Sequence, residues 1–351
     1  MDLSKIHAYH EIIAQEQHIL RIAQEEEELG GGLFQLIRRQ APKAIHFIGC
    51  GSSYFLGSAL HENLQRISQG SIESGFASGS EVILGLRKYT KDTLVIALTR
   101  SGNSTETLEA LRKAKEQFGV MTAAITCSKN SAVQSIVDHT VEMPFVVQKS
   151  VAMTGGYTAT AFIAQLIFLR LFQPELIHLA KQEIPTAAKD ILNEAQSVIQ
   201  GIPHETIDRL RHFSFLGYQE DYGVAYEGVI KLTEMALADA DAYQPLEYRH
   251  GPRAKTGTHS LVLLFGHSKM SSILAPLVSE LRHLGALVIS TGRSIDGSVS
   301  ISVPELPMNL EWFLKVIPIH WLGLVVSVRL GLNPDEPQNL TPVVEIDPST
   351  F

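Results

Sequence analysis

Short apolar runs alternate with helix-length stretches along most of this chain, and that alternation limits the possible folds more than any other feature. The runs at residues 44–49, 94–98, 121–126, 213–216, 260–265 and 286–290 are rich in Val, Ile, Leu, Ala and Phe and bounded by turn residues. Such runs read as strands buried on both faces. Weaker strands fit at 71–76, 139–143 and 298–303. Helical spacing follows from about Tyr54, over 105–118, from Tyr226 and over 271–284, with short helices at 80–86 and 131–137. A repeated strand–helix–strand series predicts parallel sheets covered by helices on both faces, an α/β class. The series pauses over a polar helical stretch at 176–210 and then restarts. Two domains of one architecture are expected, at 1–190 and 191–351.

The flanks are helical. Residues 2–40 read as two helices, with Glu25 to Glu28 on a solvated face and Gly30-Gly31-Gly32 as a break. A long helix is expected over 150–172, another over 311–330, and an irregular tail from Gly331. The apolar stretches 162–172 and 316–330 are interrupted by Gln165, Arg170, His320 and Arg329, so they read as buried helices rather than membrane spans.

Composition narrows the function classes. At 45% hydrophobic and 19% charged residues the chain can bury a core, and its net charge of −8 argues against nucleic acid or an anionic membrane surface as partner. Cys50 and Cys127 have no zinc-ligand spacing and make no disulfide framework, and the start MDLSKIHAYH has no apolar signal segment. A cytoplasmic protein without metal or cofactor is expected. Cys127, at a strand end, reads as core.

Three stretches carry chemistry. Gly49-Cys50-Gly51-Ser52-Ser53 and Thr99-Arg100-Ser101-Gly102-Asn103-Ser104-Thr105 each lie between a strand and a helix. Both put backbone N–H groups and hydroxyls at a helix N-terminus, where an anion such as phosphate binds; Ser and Thr there also serve as plain N-caps. Neither turn matches the Walker A or dinucleotide spacing. The third stretch is YEGVIKLTEMALADADAYQPLEYRH, residues 226–250. Glu227, Lys231 and Glu234 share one helical face, with Val229, Ile230, Leu232 and Met235 on the apolar side. The helix is expected to end near Ala240, and 242–252 to form a site loop ending at His250 before Gly251-Pro252. The Glu227–Lys231 pair alone could be an ordinary solvated pair. Carboxylate, ammonium and imidazole together suit proton transfer on a carbonyl compound.

The segment LTRSGNSTET resembles the signature of sugar isomerase (SIS) domains, and GCGSS resembles their first phosphate loop. The stretch EGVIKLTE…DADAYQPLEYRHGP and the tail LNPDEPQNLTPVVEI are similar to the isomerase half of glutamine–fructose-6-phosphate amidotransferase. The resemblance covers nearly the whole chain and implies two flavodoxin-like, three-layer α/β/α domains, in a homodimer. It makes Glu234 the base that moves a proton between C1 and C2, Lys231 its support, and Glu227 a shaper of the sugar site. His250 opens the sugar ring, delivered from the neighbouring subunit. Ser53, Thr99, Arg100, Ser101 and Ser104 surround the phosphate, with Cys50, Gly51, Ser52 and Asn103 in the same turns, and Val151 to Thr154 line the sugar. Two departures matter. The family's Asn-Leu-Ala-Lys reads Asn339-Leu340-Thr341-Pro342 here, so its Schiff-base lysine is missing, and no glutaminase half is seen. The implied activity is an aldose–ketose isomerase releasing ammonia from an amino-sugar phosphate such as glucosamine 6-phosphate. Alternatives are a galactosamine- or tagatose-type isomerase, a fructosamine-phosphate deglycase, or a non-catalytic phosphosugar sensor.

Overall fold

The computed structural model describes residues 3–347. In chain order its elements are α1 (His7–Ile13), α2 (Gln15–Gln40), β1 (Ala44–Gly49), α3 (Ser52–Ile67), β2 (Glu73–Ser78), α4 (Gly79–Ile83), β3 (Thr93–Thr99), α5 (Thr105–Phe118), β4 (Met121–Thr126), β5 (His139–Glu142), α6 (Gly155–Phe172), α7 (Ile177–Gln200), α8 (His204–Arg209), β6 (His212–Leu216), α9 (Glu220–Ala236), β7 (Asp239–Tyr243), β8 (Ser260–Gly266), α10 (Ser271–His283), β9 (Leu287–Gly292), β10 (Val299–Ser302) and α11 (Ile317–Arg329).

Two five-stranded parallel sheets organise these elements, in the orders β2-β1-β3-β4-β5 and β7-β6-β8-β9-β10. Each order places the second strand of its series at the edge and the first beside the third. That is the flavodoxin-like arrangement, with its switch point between β1 and β3 in one sheet and between β6 and β8 in the other. The fold is α/β, as expected. β3 and β8 are buried along their whole length, which is why they read as unbroken apolar runs. Helices α6 and α11 are apolar all round because protein surrounds them; residues 155–172 are 83% buried and residues 312–329, which include α11, 89%.

The sheets belong to two compact units. One comprises residues 17–148, 155–183 and 341–347, the other 3–16, 149–154 and 184–340. The expected cut at 190 thus falls at 183, and three short segments lie in the opposite unit. Bonds explain the placing of the first two, 3–16 and 149–154. The Asp335 carboxylate accepts from the His7 and Ala8 N–H groups at 2.8 and 2.7 Å, while its carbonyl accepts from Val151 at 3.0 Å. The Glu11 carboxylate takes the N–H groups of Lys149 and Ser150 and the Ser150 hydroxyl.

Three local expectations are corrected. Gly30 to Gly32 do not break the first long helix; α2 runs through them to Gln40. A Cβ on Gly30 would come within 2.8 Å of Ile167, and one on Gly32 would collide with the His139 ring, so these glycines let neighbours approach closely. Glu26 does not lie on a solvated face: it is 1% exposed and bonds the Arg170 guanidinium at 2.7 Å, with Lys181 at 3.7 Å. Finally, the stretch after α9 is not all loop. Asp239–Tyr243 pairs with β6 as the edge strand β7, its Asp-Ala alternation too polar to read as a strand.

Candidate active site

Both glycine turns sit at the carboxyl ends of β1 and β3, adjacent strands flanking their sheet's switch point. Gly51 has φ +57°, a conformation that favours glycine, and lets the chain turn directly into α3. Ser52 and Ser53 are buried in the first turn of that helix. Cys50 is half-buried, its Sγ 3.8 Å from the Thr107 hydroxyl, and burial pushes its thiol up, as does Glu106. This suits a packed, unreactive thiol.

The second turn is stiffened from within. Thr99 Oγ1 accepts from the Gly102 N–H at 3.1 Å, Ser101 Oγ from Asn103 at 3.2 Å, and Asn103 Oδ1 from Ala132 at 2.9 Å. Neither Gly51 nor Ser104 caps its helix with a side-chain bond. The tail reaches this turn: the Thr105 N–H donates to the Val344 carbonyl at 3.3 Å, and Arg100 donates to the Pro342 carbonyl at 3.0 Å. A cavity of about 310 Å³ opens beside it, lined by Arg100, Ser101, Cys127, Ser128, Pro342 and Val343 among others.

In the other unit α9 brings together the three expected side chains. Lys231 Nζ lies 2.5 Å from Glu234 Oε2 and 3.6 Å from Glu227 Oε1. Glu227 and Lys231 are fully buried, while the Glu234 side chain is 25% exposed. The expectation holds for Leu232 and Met235, which are buried, but Val229 and Ile230 are only half-buried while Glu227 and Lys231 of the polar stripe face inward. Gly228 packs on the Phe215 ring and Gly323 of α11 packs on the Lys231 backbone, which draws the lysine into the core. A solvated pair is therefore ruled out. His250 is exposed, in the turn after a 3-10 helix at Glu247–Arg249, and Gly251 follows with φ +129°. Val151 and Thr154 lie in the 149–154 strip of this same unit. Among the described residues no group of three or more His, Cys, Asp or Glu side chains could hold a metal ion.

Sequence reading missed a charged cluster at the start of α9. Lys315 is buried and donates to both Asp221 oxygens, at 3.1 and 3.0 Å, and to Asn309 at 3.2 Å. Burial pulls the Lys315 ammonium down, but Asp221 and Glu311 more than offset it. The turn before α9 copies that before α3, with Gln219 at φ 56° and ψ −125° where Gly51 has φ 57° and ψ −129°. A non-glycine residue there stores backbone strain. The 94 positions between Asp221 and Lys315 left no local signal for the pair.

Glu311 belongs to this cluster and gives a pH prediction. Burial pushes its carboxyl up to about 7, against the pull of Lys315. The folded state therefore holds a proton that the unfolded chain has lost above about pH 4.5. This contribution is fully present below pH 4.5 and is lost as pH rises through about 7; at ~1.4 kcal/mol per unit it is on the order of 3 kcal/mol. Glu311→Gln removes the titrating group, so its melting temperature should fall less than that of the native chain between pH 5 and pH 8. Equal pH slopes in calorimetry would contradict this.

Comparison with known proteins agrees with this architecture. The SIS domain family model matches residues 36–170. Beyond that match, the chain is related over most of its length to the isomerase half of isomerizing glutamine–fructose-6-phosphate aminotransferases. It is 28% identical to that of Helicobacter pylori over 316 residues and 29% identical to that of Clostridium acetobutylicum over 323 residues, in each case covering 86% of this chain and 52% of the relative. The chain thus spans about half the length of these curated relatives. A Thermotoga maritima glucosamine-6-phosphate deaminase structure matches with a TM-score of 0.81 and 26% identity, covering 96% of this chain and 99% of that one. The C-terminal domain of the Francisella tularensis aminotransferase shares the fold, with a TM-score of 0.83 at 21% identity over 95% of this chain and 98% of that one.

Proposed function

We propose that this chain is a phosphosugar isomerase that converts a 2-amino-sugar 6-phosphate into a ketose phosphate and ammonia. The observation that carries this reading is the buried Lys231 ammonium bonded to the partly exposed Glu234 carboxylate. A lysine is costly to bury, and here it meets a carboxylate that solvent and substrate can reach. Kinship to the aminotransferase isomerase half and to the Thermotoga deaminase supports an amino-sugar phosphate as substrate.

In this reading His250 opens the ring and frees the C1 aldehyde. Glu234 takes the C2 proton and returns one to C1, leaving an imine at C2. Water hydrolyses the imine, so ammonia leaves and the ketone forms. Lys231 stabilises negative charge developing on the enol oxygen. No enzyme-bound Schiff base is needed, which accords with Thr341-Pro342 standing in place of the family's Ala-Lys. The turns at 49–53 and 99–105 hold the phosphate, and the protein works in the cytoplasm.

The test is product analysis with glucosamine 6-phosphate and galactosamine 6-phosphate, following ammonia and ketose phosphate together. Both should appear in equal amounts from one amino sugar. Ketose formation from a plain aldose phosphate with no reaction of either amino sugar would replace the deaminase reading with a simple isomerase. Ser101→Ala combined with Ser104→Ala should raise KM at least tenfold more than it lowers kcat, since phosphate contacts act mainly by positioning. An unchanged KM would remove this turn from the site. A homodimer in which His250 serves the partner copy is also proposed: mixing the strongly impaired Glu234→Gln and His250→Ala proteins should raise activity well above that of either alone. Subunit exchange without recovery would place both groups in one chain.

A further inference from the structure

The turn that presents His250 is anchored from below by a chain of hydroxyls, two of them fully buried, that the proposed chemistry does not use. Ser214 on β6 stands opposite Asp241 on β7 in the parallel register. Ser214 Oγ donates to Asp241 Oδ1 at 2.6 Å, and the second Asp241 oxygen lies 2.9 Å from His212 Nε2. Ser214 Oγ is 3.1 Å from the Tyr248 hydroxyl, which is 2.8 Å from Thr256 Oγ1. Ser214 and Tyr248 are fully buried.

The direction of these bonds follows from chemistry. An ionised carboxylate only accepts, so the Ser214 proton points to Asp241. Tyr248 then donates to Ser214, and Thr256 donates to Tyr248. Burial pushes the Tyr248 phenol up, so it is a donor throughout the neutral range. One hydroxyl therefore closes the segment 248–256, with Tyr248 two residues before His250 and Thr256 six residues after it. On the outer side Glu280 accepts from Arg249 at 2.8 and 3.2 Å and from Arg253, a second and partly exposed clamp on the same turn. Gly251, at φ +129°, is the point in this segment with the most backbone freedom, so the geometry of His250 depends on its ends being tied.

We propose that Tyr248 is the positioning residue for His250: its buried hydroxyl, bridging Ser214 and Thr256, fixes the turn that holds the ring-opening imidazole in place. This rests on the reading that His250 opens the sugar ring, and the experiment separates the two. Tyr248→Phe keeps the ring and removes the bridge. It should lower kcat on glucosamine 6-phosphate about tenfold to a hundredfold with KM changed little, as expected for a misplaced catalytic group. Introduced into His250→Ala, it should cause no further loss, because it acts through the histidine. Thr256→Val, which removes one donor from the same chain, should give a smaller loss that is likewise absent in the His250→Ala background, and it serves in the cycle if Tyr248→Phe fails to fold. Proton NMR of the His250 ring, assigned by its disappearance in His250→Ala, reads the position directly and should show a shifted signal in Tyr248→Phe. Where His250→Ala is impaired, wild-type kcat in Tyr248→Phe or the same loss with and without His250 would overturn the proposal, and an unmoved ring signal would overturn it in every case. Full activity of His250→Ala together with a moved ring signal would instead leave the positioning intact and remove the ring-opening role.

Discussion

Glu234→Gln is expected to lower turnover by about 10²–10⁴-fold while phosphosugar binding persists. Glutamine matches glutamate in shape, and its amide oxygen can still accept from Lys231, which stands 2.5 Å from Glu234 Oε2 in the native chain. What it cannot do is take a proton from carbon. The site is therefore kept while the base is lost. The buried Lys231 ammonium keeps Glu227 at 3.6 Å and the Glu234 side chain is 25% exposed, so the change leaves no unpaired buried charge and should cost little stability. Steady-state rates on glucosamine 6-phosphate, alongside calorimetric binding of a sugar phosphate that lacks the amino group, check both halves. A rate within threefold of the native one would show that the proton moves elsewhere. Binding lost together with turnover would show that Glu234 holds the sugar rather than reacting with it.

How far the sequence could be read depended on whether a feature was local. Strand β1 at Ala44–Gly49, strand β4 at Met121–Thr126 and helix α5 at Thr105–Phe118 were read to the residue, because apolar runs and helical spacing state themselves within a dozen positions. Both glycine turns and the Glu227–Lys231–Glu234 stripe were equally legible. The unread features depend on partners distant in the chain. Nothing near Gly30 or Gly32 announces that Ile167 and His139 press against them, so three glycines looked like a break. Glu26 looks solvated until Arg170, 144 positions away, is known to face it. The same holds for Val229 and Ile230, which look like the core side of α9 when only apolarity is counted. The packing of α9 against β6 and α11 instead turned its charged stripe inward. Strand β7 was missed for another reason: its pairing with β6 outweighs a weak intrinsic preference.

Lys231→Met should separate what this lysine does for the fold from what it does for the reaction. Lys231 and Glu227 are both fully buried, with Nζ 3.6 Å from Glu227 Oε1. Methionine fills much of the same volume but takes away the positive charge, leaving a buried carboxylate without its lysine. Breaking a buried pair in this way costs about 3–5 kcal/mol, far more than the pair is worth against a well-packed apolar replacement. For a unit of this size that corresponds to a melting-temperature drop on the order of 10 °C. Adding Glu227→Gln removes the orphaned charge, so the double variant should regain much of the lost stability. Turnover should not return with it. The developing enol oxygen has still lost its cation, and removal of one such preorganised charge costs about 10²–10³-fold. Stability measured by denaturant titration and rates measured on the same samples would therefore part company in the double variant. If the single variant stays within 1 kcal/mol of the native chain, the buried pair is not under electrostatic load. If the double variant recovers native turnover along with stability, Lys231 serves the fold alone and the charge stabilisation must come from elsewhere.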